Sequence, residues 1–206
     1  MSKKFLTIIS TILFFIFVIT FIRLIHFQDL SDNLNSEITR LSSFDFKSFQ
    51  ENDLLRESLQ FDGNNKEIDI SIELDDGEIN KKISLEKLLT QDYKLFFNFS
   101  DINCSSCISQ ETANIKALSD SIGSNKIILL ADYRTQRSLI LFKRANNLKN
   151  PIYNLNGSKL GIKVEDYNLP FYGLINSSGR INNIFIPDKA RPILSKKYLE
   201  AISNFL

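Results

Sequence analysis

The chain has 206 residues, room for one domain plus attachments, and 43% hydrophobic against 24% charged residues, the balance of a foldable globular protein. Of its 25 basic side chains, Lys3, Lys4 and Arg23 lie in the first 27 residues, which hold no acid, so the remainder carries 22 bases against 24 acids. That near-neutral body excludes an electrostatic case for nucleic acid, and two cysteines with one histidine fall short of a four-ligand structural zinc site.

Met1–Lys4 is short and basic, and Phe5–Ile22 then runs 18 residues without a charge. After Arg23 the apolar character resumes at Leu24, Ile25 and Phe27. At about 1.5 Å per residue, Phe5–Phe27 is long enough to cross a ~30 Å hydrocarbon core. No A-x-A-like triplet follows, so residues 1–27 are expected to be an uncleaved transmembrane signal anchor rather than a cleaved signal peptide. Lys3 and Lys4 belong on the cytoplasmic side, and Asp29 and Asp32 on the far side. The body is therefore expected outside the cytoplasm, on the periplasmic face of a bacterial inner membrane, where disulfides persist. His26 sits at the membrane boundary.

Residues 28–61 read as a juxtamembrane stalk or linker. Leu30, Leu34, Ile38 and Leu41 fall on one helical face, as a spacer helix or a partner-binding helix would place them. Phe44, Phe46 and Phe49 then break the pattern.

The domain is expected over 62–206. Ile68, Ile70, Ile72 and Leu74 alternate with polar residues, predicting a half-buried strand before the turn Asp75-Asp76-Gly77. Ile83-Ser84-Leu85 predicts a short strand and Glu86–Leu89 a helical turn. Lys94–Phe99 is a dense apolar run, the predicted central strand, and it leads into Cys104-Ser105-Ser106-Cys107. A helix follows over Cys107–Ile122, with Ile108, Ile115, Leu118 and Ile122 near one face and Gly123 as its stop. Lys126–Ala131 reads as a strand buried on both faces, Gln136–Asn146 as a helix and Ile152–Leu155 as a short strand. Phe171–Ile175 and Ile181–Ile186 form a predicted hairpin around Asn176-Ser177-Ser178-Gly179-Arg180. Lys196–Leu206 closes the chain as an amphipathic helix with Leu199, Ile202 and Leu206 inward. This order predicts an α/β fold, a mixed central sheet with helices on both faces.

A strand running into a CxxC at the start of a helix is the layout of a dithiol redox site. Four features in order carry a wider likeness: the lead-in Leu74-Asp75-Asp76-Gly77 with Ile83-Ser84-Leu85, the strand into Cys104–Cys107, Leu169-Pro170 directly before a strand, and the hairpin FYGLINSSGRI. On these, Glu67 to Leu206 resembles the thioredoxin fold and, within it, the extracytoplasmic redoxin or TlpA-like family. The resemblance implies a thioredoxin-like domain whose Pro170 is a cis-proline facing the dithiol. The sequence departs from that family at three places. The usual Trp before the first cysteine is Asn103, the residues between the cysteines are Ser105-Ser106, and the buried Asp six residues before the first cysteine is Asn98, which cannot accept a proton.

The expected chemistry is thiol–disulfide exchange. Cys104, at a helix N-terminus, is the expected nucleophile and Cys107 the resolving thiol. The partners are protein thiols or disulfides and an upstream redox partner, with electron flow in either direction. No cofactor or metal is implied. C-type haem attachment lacks its His, since Ile108 follows Cys107, and a peroxiredoxin motif would want Pro and Thr or Ser where Phe97 and Asp101 stand. The alternative is a non-catalytic thioredoxin-like binding module that docks a peptide or protein at the membrane surface.

Overall fold

The computed structural model describes residues 20, 21, 23, 24, 26–36, 51–76, 81–89 and 92–206. Most of the expected anchor, residues 1–19, 22 and 25, lies outside these, as do Ile38, Leu41 and the phenylalanines at 44, 46 and 49. Among the described residues no helix is long and apolar enough to cross a membrane. Residues up to Leu54 form one unit and Leu55–Leu206 a second. In the first, the described residues from 26 to 36 are helical, and Phe27, Leu30 and Leu34 on it are exposed.

The second unit opens on helical residues 55–63 (α1). It continues through β1 (Lys66–Glu67), β2 (Glu73–Asp76), β3 (Lys82–Ser84), α2 (Leu85–Leu88), β4 (Lys94–Ser100), α3 (Ser105–Ile122), β5 (Ile127–Asp132), α4 (Gln136–Ala145) and β6 (Ile152–Asn154). A 3-10 turn over Lys163–Tyr167 precedes β7 (Phe171–Ile175), β8 (Arg180–Phe185) and α5 (Pro192–Ser203). The strands form one mixed sheet in the order β1-β8-β7-β4-β5-β6-β2-β3. At its centre β4 pairs parallel with β5, across the α3 crossover, and antiparallel with β7.

Alternation along β4 divides the core. Leu95, Phe97 and Phe99 face one way and pack with Ile108 and Ile115 of α3, Leu139 of α4 and Leu199 and Ile202 of α5. Phe96 faces the other way, into a second cluster with Leu59 of α1, Leu85 of α2 and Phe171. Burial of both faces explains why β4 and β5 read as continuous apolar runs. Fully burying each such side chain contributes about 1.5–3 kcal/mol, which is what makes this strand pair the frame on which the loops hang. Gly123 ends α3 at φ 97°, a backbone state that L side chains rarely adopt.

The compact unit Leu55–Leu206 takes in α1, whose Leu59 is fully buried and whose Leu55 packs against the same cluster. Bonds from its side chains to backbone elsewhere tie this segment down as well: Arg56 Nη1 donates to the Pro187 carbonyl at 2.5 Å, and Gln60 Oε1 accepts the Ile186 N–H at 3.1 Å. Two expectations are corrected. The strand expected over 68–74 forms only at its end: residues 68–72 lie in no strand and connect β1, which pairs with β8, to β2, which pairs with β3 and β6. Helix α5 begins at Pro192 rather than Lys196, with proline at the first helical positions where its missing N–H costs nothing.

Candidate functional site

The apolar strand β4 delivers the chain to a short loop, and Asn103 organises that loop. Its Oδ1 accepts from the Ser100 N–H at 2.7 Å, and its Nδ2 donates to the Asn168 carbonyl at 2.7 Å. Asn103 thus ties the loop before α3 to the loop before β7, a structural role that its sequence position did not reveal.

Cys104 follows as the N-cap of α3. Its side chain makes no capping bond, and the helix has no acid in its first turn. The positive end of the helix is therefore left for the sulfur. Cys104 is exposed, Cys107 is half-buried, and both are free thiols. Cys104 Sγ lies 3.1 Å from Ser106 Oγ. The Cys107 thiol, then the Ser106 hydroxyl, hold the Cys104 thiol down to about 6, with Lys189 adding a weaker attraction. Burial pushes Cys107 the other way, and the neighbouring Cys104 adds to that upward shift. At neutral pH one sulfur is a thiolate and its neighbour a thiol.

Pro170 shares a cleft of about 500 Å³ with both cysteines. Its walls include Ile102, Leu169, Arg56, Asp188 and Lys189. The expected cis bond is not found: no peptide bond among the described residues is cis. The reversal before β7 is made one residue earlier, where Asn168 takes the left-handed conformation (φ 50°, ψ 39°) with its carbonyl held by Asn103. Leu169–Pro170 can then keep the trans isomer that X–Pro bonds ordinarily prefer.

Asn98 is buried away from this cleft and donates to Glu165 Oε1 at 3.3 Å. Glu165 in turn accepts the N–H groups of Leu160, Gly161 and Ile162. Asn98 therefore anchors a loop. A residue the sequence reading passed over, Glu111, is 4% exposed and lines the cleft. The signal was present: position 111 falls on the buried face of α3 with Ile108, Thr112 and Ile115, where a charge is out of place. Arg56, Asp188 and Lys189 were also missed, since they reach the cleft from elements distant in sequence. Among the described residues no group of three or more His, Cys, Asp or Glu side chains is placed to hold a metal ion.

No protein-family model matches the sequence, and no curated protein matches it. Solved structures do match. A cysteine-to-serine mutant of peroxiredoxin Q from Xanthomonas campestris superposes with a TM-score of 0.54 at 12% identity, covering 70% of this chain and 99% of that one. A cysteine-to-serine mutant of PrxQ from Xylella fastidiosa gives 0.52 at 15% identity, covering 68% and 95%. The domain has the thioredoxin fold. Within that fold the dithiol occupies the end of the central strand and the start of the following helix. The residues around it differ from a peroxiredoxin motif. Phe97 is fully buried and stacked on Tyr172 at 4.4 Å, and Asp101 pairs with Arg134 at 3.9 Å.

Proposed function

We propose that this thioredoxin-fold chain is a membrane-anchored, TlpA-like thiol–disulfide oxidoreductase whose domain faces the extracytoplasmic space. The observation that carries the reading is the unequal thiol pair: Cys104 held down to about 6 at an open helix N-terminus, and Cys107 held up by burial three residues on. Exchange needs that inequality, because a thiolate attacks and a low-pKa thiol also leaves readily. The anchor and compartment rest on the uncharged run Phe5–Ile22 and the flanking charges.

In the reducing direction the Cys104 thiolate attacks one sulfur of a partner disulfide. A Cys104–partner bond forms, the partner's S–S bond breaks, and the leaving thiolate takes a proton. Cys107, deprotonated, then attacks Cys104 Sγ, forming the internal disulfide and releasing the second partner thiol. Two electrons pass from the dithiol to the partner, and an upstream dithiol donor restores the pair. The reverse sequence oxidises a partner dithiol. Pro170, Leu169 and the exposed Ile102 offer walls for the peptide that carries the partner disulfide.

The test uses the full-length chain in detergent micelles, equilibrated in glutathione buffers, and a Cys107→Ser variant expressed in cells. Reversible cycling of the pair and accumulation of mixed disulfides on Cys104 are expected. A pair that does not cycle, or a variant that traps nothing, ends this reading. The competing reading is a binding module that uses the cleft without chemistry, favoured by an Asn at position 98. Under it, partner capture survives Cys104→Ser undiminished. A mature protein lacking Phe5–Phe27 would remove the anchor.

A further inference from the structure

The Asn at position 98 leaves a gap in the chemistry proposed above. Cys107 must lose its proton before it can attack, and burial makes that harder. Asn98 cannot take the proton and is engaged with Glu165. Glu111, among the described residues, is the one charged side chain in the buried set. It stands four residues after Cys107, on the same face of α3, and lines the same cleft.

Its setting is built. Ser195 Oγ on α5 donates to Oε1 at 2.9 Å. Tyr172 on β7 donates through its hydroxyl to Oε2 at 2.8 Å, and Asn114 Nδ2 donates to Oε2 at 3.4 Å. Both oxygens act as acceptors, the arrangement of an ionised carboxylate. Oε1 takes one protein donor and keeps a lone pair for another. Packing alone would not call for an acid here, because burying a charge costs more than burying a neutral amide or an apolar group.

We propose that Glu111 is the proton acceptor for Cys107, the group that lets the resolving thiol attack the mixed disulfide. The proposal rests on the exchange reading of the dithiol. In the step, the Cys107 S–H bond breaks and its proton passes to the Glu111 carboxylate, directly or through cleft water. The Cys107 sulfur's electron pair forms the bond to Cys104 Sγ, and the Cys104–partner bond breaks. The departing partner thiolate collects the proton from Glu111. Charge and protons balance within the cleft.

The titratable and charged groups facing this site are Cys104 and Cys107 on α3, Tyr172 on β7, Tyr198 on α5, and Arg56, Asp188 and Lys189 around the cleft. Burial raises Tyr172 well above the ordinary phenol range and raises Tyr198 in the same direction. Tyr172 therefore stays a donor to Glu111 throughout the neutral range, and the pH response of the step belongs to the Cys107 thiol.

Rapid mixing of the reduced full-length chain with 5,5′-dithiobis(2-nitrobenzoate) separates the two steps. The first release of coloured thiolate reports attack by Cys104, and the second reports attack by Cys107. Glu111→Gln should slow the second phase by about 10²-fold at neutral pH, a deficit that shrinks as pH rises, and leave the first phase unchanged. Glu111→Asp should recover part of the loss. An unchanged second phase, an equal slowing of both phases, or a deficit independent of pH overturns the proposal. Should Glu111→Gln not fold, Glu111→Asp decides: it keeps the buried charge but withdraws the carboxylate from the thiol, and a second phase as fast as that of the unaltered chain overturns the proposal. Failure of the wild-type pair to cycle in glutathione buffers, with the Glu111 dependence intact, would count against the enzymatic role alone. Cycling with no Glu111 dependence would count against this proposal alone.

Discussion

Helices α3 and α4 both follow a central strand, and they begin in opposite ways. Helix α4 starts at Thr135, whose Oγ1 accepts the Ser138 N–H at 3.2 Å, and it ends with Lys143 and Arg144 in its last turn. Its cap is filled and its dipole is complemented. Helix α3 starts at Cys104 with no capping bond, no acid in the first turn and no base in the last. At the end where the sulfur sits, both the capping bond and the first-turn acid are missing. The difference separates a terminus built for stability from one whose unpaired N–H groups are kept for a thiolate.

The largest effect should come from making the two ends alike. Cys104→Thr should abolish exchange with glutathione altogether while raising, or at least preserving, the urea midpoint measured below about pH 6, where the sulfur is protonated and contributes no charge, since threonine can cap where cysteine does not. A fall in the midpoint would mean that the sulfur itself stabilises the terminus.

Next is the pH profile of Cys104 alkylation by iodoacetamide in the reduced chain. Its midpoint should fall near about 6, with Cys107 reacting only at higher pH. The sign for stability follows. With its value lowered on folding from 9.0 to about 6, the unfolded chain holds the proton through this window and the folded chain does not. The reduced chain should therefore gain stability as pH rises across the window, and lose that contribution as pH falls through about 6. Urea titrations at several pH values check the direction, and a flat response would contradict the lowered value.

A smaller change is expected from Ser106→Ala, which removes the hydroxyl 3.1 Å from Cys104 Sγ. The alkylation midpoint should move upward while the rate at high pH stays the same; no movement would remove Ser106 from the account. Smallest for the chemistry is Thr135→Ala at the other helix. It should cost about 1 kcal/mol in the urea transition and leave the alkylation profile untouched. A shifted profile would show the two ends to be coupled.

Much of the fold was legible because burial leaves a periodic trace. The continuous apolar runs at β4 and β5 gave the sheet centre, and Leu199 and Ile202 gave the inward face of α5. The stretch from Ile68 to Leu74 shows where such reading stops. Its alternation reported burial correctly, since Leu74 is fully buried and Ile70 and Ile72 pack against the same cluster. It could not report pairing: Ile70 and Ile72 give their carbonyls to Glu86 and Leu85 rather than to a neighbouring strand. Side chains encode which face is dry, whereas backbone partners are chosen by whatever segment arrives alongside.

The site divides in the same way. Cys104 and Cys107 could be found from the sequence, being the two cysteines of the chain and standing at a strand-to-helix junction. The sequence alone determined the dithiol, the apolar strand behind it and the α/β order, because residue type and local periodicity suffice for these. Only the tertiary structure decided that Asn103 staples two loops 65 residues apart, that Asn168 rather than a cis bond turns the chain before Pro170, and that Arg56 of α1 reaches the cleft. It also decided that Glu111 meets Tyr172 and Ser195, 61 and 84 residues away. Such contacts are hydrogen bonds between single polar groups. They leave no repeating pattern along the chain, so they emerge only when the packed sheet brings their partners within about 3 Å.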